Sequence, residues 1–303
     1  MAESELFERG LEVGTSWGRT VKGIDPVSEP QYALGRTADE YDRLIEQANV
    51  MRPLTERMLR SAGVRHGMHV LDVGCGVGDV SFLVSEIVGE QGSVVGVDVD
   101  RAALKVAEGR RAASGITNVK FRAGNIADTE LDRQFDAAVG RFVLMFTGDP
   151  TAILRRLYGA LRPGGIVAFQ EWVGDVHGVS SAAQPLLSWV LGLLAQTFVR
   201  SGAHLHMGLD LYTGMLEAGF EPHPAPIAEI GLHTGDQVPG ARRWALFARS
   251  MLPKIVEYGL ATEAEIEVET LERRLRDEYR NADGLIPLTW LMVGQWAHKP
   301  DRS

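Results

Sequence analysis

The stretch VLDVGCGVG, residues 70–78, decides how the rest of the chain is read. A short apolar run ends near Val73, glycines alternate at Gly74, Gly76 and Gly78, and an apolar helical segment follows. Glycine at such a junction lets the backbone turn sharply and lets a ligand approach with no Cβ in the way. The carboxyl end of a strand in an open α/β sheet is also where ligands bind. A dinucleotide fingerprint, G-x-G-x-x-G, would place its third glycine at 79, where this chain has Asp79. Asp72, just before the loop, would repel a pyrophosphate and attract an ammonium group, which favours a zwitterionic or cationic ligand. Asp98 closes the next apolar run, VVGVD, and can accept hydrogen bonds from both hydroxyls of a ribose.

Outward from this loop, short apolar runs alternate with helical segments, the signature of a parallel sheet covered on both faces. Strands are predicted at His69–Val73, Ser93–Val97, Val119–Phe121, Phe135–Val139 and Ile166–Phe169, and helices near 79–89, 101–114 and 150–161. The fold class is therefore α/β, a Rossmann-like doubly wound sheet. Upstream, Thr37 and Glu40 have the spacing of a capping box, and Tyr41, Leu44, Ile45 and Ala48 share one helical face. Pro53 is read as opening a second helix to about Ser61, and RPGG at 162–165 as a turn. Leu211 to Ala218, stopped by Gly219, reads as a helix; Thr262 and Glu265 form another capping box. Behind that box Ala264, Val268, Leu271, Leu275 and Tyr279 align on one face of a charged helix, and Ile286 to Trp296 supplies a closing strand. The expected division is an N-terminal arm with helices at 1–64, a ligand-binding core at 65–172, and covering helices with closing strands of the same domain at 173–303.

The arrangement resembles the class I S-adenosylmethionine-dependent methyltransferases of the small-molecule type, over about residues 65–172. That resemblance implies that the loop holds the methionine end of S-adenosylmethionine, with Gly74, Gly76 and Gly78 in contact and Asp72 near the amino group. It implies Asp98 on the ribose and Asn125 with Ile126, in RAGNI, flanking the adenine; many members have aspartate at the position of Asn125. FDAAVGRFVLMF (135–146), which includes Arg141 as a further cofactor contact, and LRPGGIVAFQEW (161–172) match the fourth and fifth strand regions. YALGRTADEYDRLIEQA (32–48) is similar to the helical arm that folds over the cofactor, which makes Tyr32 and Gln47 contacts; alternatively Tyr32 and Tyr41 pack on the sheet.

Methyl transfer from a sulfonium requires alignment of an acceptor with the methyl group and exclusion of water. It also uses a base where the acceptor carries a proton. Glu171, at the carboxyl edge of the fifth strand beside Trp172, is the leading base, with a salt-bridged strand-end carboxylate as the alternative. His177 is the second catalytic candidate; His204, His206, His223 and His233 are weaker ones. Asp79 caps a helix or touches ligand, and Cys75 is a small packing residue. No metal pattern is present.

The apolar stretch Leu186–Val199 is hydrophobic on nearly every helical face, so it is expected to be buried all round, as a lid over an apolar acceptor, an interface between copies, or core. Together with the family likeness this points to a phenolic, quinone-like, isoprenoid or polyketide acceptor, methylated on carbon or oxygen. Of the 303 residues, 31 are Lys or Arg and 40 Asp or Glu, giving a net charge of −9, which disfavours nucleic acid as a partner. The start of the chain lacks a signal peptide, the apolar stretch is too short to span a bilayer, and the single cysteine fits a reducing compartment, so a cytoplasmic location is expected. A homo-oligomer is compatible with the apolar stretch. Two other classes stay open: a non-catalytic adenosyl-ligand sensor or assembly factor, and a protein or nucleic-acid methyltransferase.

Overall fold

The computed structural model describes residues 38–131, 134–174, 183–236 and 240–301. Helix α1 (Ala38–Ser61) is followed by β1 (His69–Val73), α2 (Asp79–Val88), β2 (Ser93–Asp98), α3 (Arg101–Ala113), β3 (Val119–Ala123) and β4 (Phe135–Arg141). A 3₁₀ turn, Leu144–Phe146, leads to α4 (Pro150–Ala160) and the long strand β5 (Leu161–Val173). Then come α5 (Pro185–Arg200), α6 (Met207–Glu217), β6 (Glu221–Pro222), β7 (Ile227–Glu229) and β8 (Leu232–His233). The chain ends with α7 (Gly240–Glu257), α8 (Glu263–Ile266), α9 (Val268–Arg280), β9 (Ile286–Pro287) and β10 (Leu291–His298).

The main sheet runs β3-β2-β1-β4-β5-β10-β6, with β7 also paired to β10. β1 to β5 are parallel and β10 is antiparallel to β5. The order reverses at β1, so the loops after β1 and β4 open a crevice at the carboxyl edge, the place where such sheets bind ligands. Alternate residues of the central strands feed two cores: Val70, Val139 and Ala168 pack with α1 and α2, whereas Leu71, Ala138 and Val167 pack with Leu154 and Leu157 of α4. A third layer of α5, α7 and α9 meets α1 above the crevice, and its centre is aromatic: Trp172, Phe198, Phe247 and Trp290 pack with ring centroids 4.9–5.9 Å apart.

Several sequence expectations change. Pro53 lies inside one continuous helix of 24 residues instead of opening a second. It removes one helical N–H, but it faces solvent while Met51, Met58 and Leu59 on the same helix are fully buried, and that packing holds the helix together. RPGG does not separate helix from strand: β5 begins at Leu161, and the tetrapeptide bulges out of register between Leu161, opposite Phe135, and Ile166, opposite Ala137. The helix expected at 263–280 breaks at Glu267, whose φ of 46° is left-handed; Ala264 is exposed, and Ile266, Leu271, Leu275 and Tyr279 form the buried stripe. The Thr262–Glu265 capping box forms. Glu40 gives both carboxylate oxygens to Arg43, and its expected capping partner Thr37 lies outside the described residues. Helix α5 buries one broad face through Leu187, Val190, Leu193, Leu194 and Phe198, while Val199 is exposed, so it is not enclosed all round.

Because Pro53 is exposed and mid-helix, Pro53→Ala should raise stability by about 1 kcal/mol or more, the lost helical hydrogen bond and ring clash being relieved. Denaturant unfolding measures it; an unchanged or lower midpoint would show that the helix is shaped around the proline.

Candidate active site

A cavity of about 620 Å³ occupies the crevice between the sheet edge and α1. The glycines of the loop serve different ends. Gly74 has φ 66°, and a Cβ there would lie 2.4 Å from Cγ2 of Val143, so the approach of the β4 loop requires glycine. Gly76 has φ 51° and a Cβ there would meet nothing within 4 Å; it borders the cavity and its bareness is open to a ligand. Gly78 does not border the cavity: it is the left-handed N-cap of α2, and a Cβ would strike the Phe82 ring at 2.9 Å. The expected third glycine contact is therefore a packing site.

Asp98 grips the loop: Oδ2 accepts from the Gly76 amide at 2.7 Å and Oδ1 from the Asp100 amide at 2.8 Å. Asp100 in turn caps α3 through the amides of Ala102 and Ala103, and accepts the Tyr41 hydroxyl at 3.0 Å, which fastens α1 over this corner. Asn125 and Ile126 border the same end. Asn125 turns its Oδ1 to the Ala127 amide at 3.0 Å. Cys75 is buried in the loop and Asp79 receives Arg110 at 2.8 Å.

Asp72 lies beneath the loop and does not itself border the cavity. Its Oδ2 accepts the Ser81 hydroxyl at 2.6 Å, while Oδ1 is buried without a hydrogen-bond partner. Burial pushes this carboxyl up to about 7, against the pull of Ser81 and Arg141. Arg141, at the end of β4, does border the cavity and donates to Thr55 Oγ1 at 3.1 Å; the Thr55 hydroxyl reaches Gln170 Oε1 at 2.7 Å.

Further lining comes from α1 and the β4–α4 segment. Glu40, Arg43 and Gln47 stand at helical spacing on α1 and all border the cavity. Arg43 is 2% exposed in its side chain, donates to both oxygens of Glu40 at 2.7 Å and to Gln47 Oε1 at 2.8 Å, and lies 4.4 Å over the Phe247 ring. Phe142, Phe146 and Trp172 form an aromatic wall, with Phe142 and Trp172 centroids 4.3 Å apart. Phe142 has φ 54°, a left-handed conformation that side chains rarely adopt. The Phe142 ring, Tyr41, Arg43 and Asp100 were not singled out from sequence as site residues; the spacing of Glu40, Arg43 and Gln47 on a helix was the available signal.

Glu171 is fully buried behind the aromatic wall and is not among the cavity-bordering residues. Its Oε1 accepts the amides of Val143 at 3.0 Å and Leu144 at 2.8 Å, and Oε2 has no partner. Burial pushes the carboxyl up to about 8, so at neutral pH it is protonated. The expectation of a base in contact with acceptor is corrected: Glu171 anchors the 3₁₀ turn that carries the wall. Of the weaker histidines, His204 pairs with Asp210 on the surface at 3.2 Å, His223 stacks on Trp296, and His233 is buried against Tyr279; neither these nor His206 borders the cavity. Tyr32 and His177 lie outside the described residues. Among the described residues no group of three or more His, Cys, Asp or Glu could hold a metal ion, and no helix is long and apolar enough to cross a membrane.

The fold holds the Glu171 proton between about pH 4.5 and 8, whereas the unfolded chain releases it there. Native protein then binds more protons, so this stability is full at the acid side of that window and is lost as pH rises through it, at about 1.4 kcal/mol per pH unit. Glu171→Gln, which keeps an acceptor oxygen for the two amides, should flatten the pH dependence of unfolding between about pH 4.5 and 8 and exceed wild type in stability at pH 8. A parallel pair of curves would refute the buried protonated carboxyl.

Residues 65–210 match the family model of a methyltransferase domain. A ubiquinone/menaquinone biosynthesis C-methyltransferase from Shewanella sediminis is 30% identical over 231 residues, 71% of this chain and 92% of that protein. Nocamycin O-methyltransferase from Saccharothrix syringae is 29% identical over 83% of this chain and 79% of its own length. The demethylmenaquinone methyltransferase of Staphylococcus aureus is 35% identical over 44% of this chain, a match that spans 55% of that enzyme. Among solved structures, the YcgJ protein of Bacillus subtilis superposes with a TM-score of 0.51 at 17% identity, over 81% of this chain and 97% of that one, and shows the same fold. With the glycine loop, the Asp98 clamp and the reversal of strand order at β1, these similarities place the chain in the class I S-adenosylmethionine-dependent methyltransferases.

Proposed function

We propose that the protein transfers the methyl group of S-adenosylmethionine to carbon or oxygen of a small, largely apolar acceptor of phenolic, quinone-like, isoprenoid or polyketide type. The observation that carries this reading is one cavity whose lining combines Gly76, Asp98 and Ile126 with the aromatic side chains of Phe142, Phe146 and Trp172. At about 620 Å³ it lies within the range of roughly 300–1,000 Å³ usual for small-molecule sites. Relatives named for C-methylation in quinone biosynthesis and for O-methylation support a small-molecule acceptor.

The residues fit an adenosyl sulfonium. Asp98 presents two carboxylate oxygens at the cavity, suited to ribose hydroxyls, and Ile126 with Asn125 suits an adenine edge. Asp72 does not border the cavity, so its carboxyl would favour an ammonium group through its field and not by contact, while Arg141 borders the cavity and suits a carboxylate, with Gln47 on the α1 side. When bound, the cofactor supplies an electrophilic methyl carbon. The protein's own part is to hold the acceptor against the aromatic wall, keep water out beneath α1 and α7, and fix the wall through Glu171, which acts as a positioning residue.

Calorimetry with S-adenosylhomocysteine tests the cofactor half. Asp98→Ala should weaken binding by tenfold or more, since hydrogen bonds to a charged group are worth about 1.5–3 kcal/mol; unchanged affinity would overturn the ribose assignment. Asp72 must ionise for its field to favour a bound ammonium group, so binding should release a proton below about pH 7 and tighten as pH rises toward it. Asp72→Asn should abolish that release, measured as the dependence of binding enthalpy on buffer ionisation. Methyl transfer to a panel of phenols, hydroquinones and enolic diketones tests the other half. Binding of cofactor with no transfer to any of them would favour the non-catalytic adenosyl-binding reading.

A further inference from the structure

Past Gln47 the buried residues of α1 are Ala48, Met51, Met58 and Leu59, with one polar side chain among them, Thr55, 1% exposed. A hydroxyl in such surroundings costs free energy unless it is hydrogen-bonded. Three elements meet on this one. Arg141 of β4 donates to it from Nη1 at 3.1 Å, so the hydroxyl proton points elsewhere, and Gln170 Oε1 of β5 takes it at 2.7 Å in preference to the Met51 carbonyl at 3.1 Å. Arg141 and Gln170 are partners in the β4–β5 register, so α1 closes a triangle on a pair that the sheet has already fixed. Arg141 is the member that borders the cavity, and among the described residues this is its one hydrogen bond, which leaves the rest of its five N–H groups for a ligand. Asp79 and Asp72 lie close enough for their charge to act on it, yet neither is bonded to it: Asp79 receives Arg110 and Asp72 receives Ser81. A guanidinium on a long flexible stem turns to such carboxylates when nothing else holds it. The Thr55 hydroxyl is the group that holds it.

We infer that Thr55 is a positioning residue for S-adenosylmethionine: its hydroxyl, braced by Gln170, holds the Arg141 guanidinium in place to receive the cofactor carboxylate, and so couples the seating of the cofactor to that of helix α1. This deepens the reading given under Proposed function and rests on its assignment of Arg141 to that carboxylate. A carboxylate met by the remaining N–H groups of a guanidinium makes charge-assisted bonds, the strong kind. An arginine already held in one orientation loses less rotamer freedom when it binds, so Thr55 adds affinity without touching the ligand. The coupling is reciprocal. Whatever the Thr55 bond adds to carboxylate binding, the bound carboxylate returns to that bond, and through it to the part of α1 that packs on the sheet.

The test compares S-adenosylhomocysteine with methylthioadenosine, which keeps the adenosine and the thioether but has neither carboxylate nor ammonium group, by calorimetry on the full chain. Thr55→Val should weaken S-adenosylhomocysteine roughly three- to tenfold, the worth of holding one such side chain in advance, and leave methylthioadenosine unchanged. Thr55→Ser, which keeps the hydroxyl, should restore the wild-type affinity. Arg141→Met should weaken S-adenosylhomocysteine further still, and in that background Thr55→Val should add nothing. A readout on wild type alone is amide hydrogen exchange in α1 between Met51 and Met58, which saturating S-adenosylhomocysteine should slow and saturating methylthioadenosine should not. No loss in Thr55→Val, equal losses for the two ligands, additive losses in the double variant, or exchange slowed alike by both ligands overturns the role of Thr55 alone. An Arg141→Met variant that binds S-adenosylhomocysteine as tightly as wild type overturns the carboxylate assignment, and this inference with it. Failure of S-adenosylhomocysteine to bind wild type overturns the methyltransferase reading itself.

Discussion

The architecture of the site hangs on a buried carboxyl. Glu171 reaches from β5 to the amides of Val143 and Leu144, and so pins the start of the segment that leaves β4. Val143, held there, presses on Gly74 closely enough that no Cβ fits, and this contact sets where the glycine loop lies. From the same segment Phe142 and Phe146 face the cavity. One clamp therefore couples the ligand loop of β1 to the aromatic wall of β4. Burial outweighs the two amide donors, which by themselves favour the ionised form, so the carboxyl keeps its proton and its role is mechanical.

A second coupling runs through α1. Tyr41 ties it to Asp100 near the Asp98 grip, Thr55 ties it to Arg141 and Gln170, and Arg43, itself held by Glu40 and Gln47 of the same helix, lies on the face of Phe247 of α7. The helix is thus held to other elements at Tyr41 and Arg43, which precede its exposed proline, and at Thr55, which follows it.

The division of charge follows the same geometry. Carboxylates gather around the glycine loop, where Asp72, Asp79, Asp98 and Asp100 stand, and guanidinium groups gather where α1 meets α7. The net charge of −9 for the whole chain conceals this local separation.

The sequence by itself determined the core. The alternation of apolar runs and helices placed β1 at His69–Val73 and α2 to α4 within a residue or two, because a strand buried on both faces must be continuously apolar and a loop that bends under a ligand must carry glycine. Asp98, Gly74, Gly76, Ile126 and Gln47 could be read as cavity residues for the same local reason. Only the tertiary structure decided what each polar group faces. Gly78 and Glu171 sit beside site residues in the chain, yet Phe82 takes up the space at one and two backbone amides hold the other. Arg43 and Arg243, 200 residues apart, meet because α7 folds back over α1. Spacing along a chain fixes periodicity and turns; burial, and with it protonation and charge, depends on partners that arrive from distant segments.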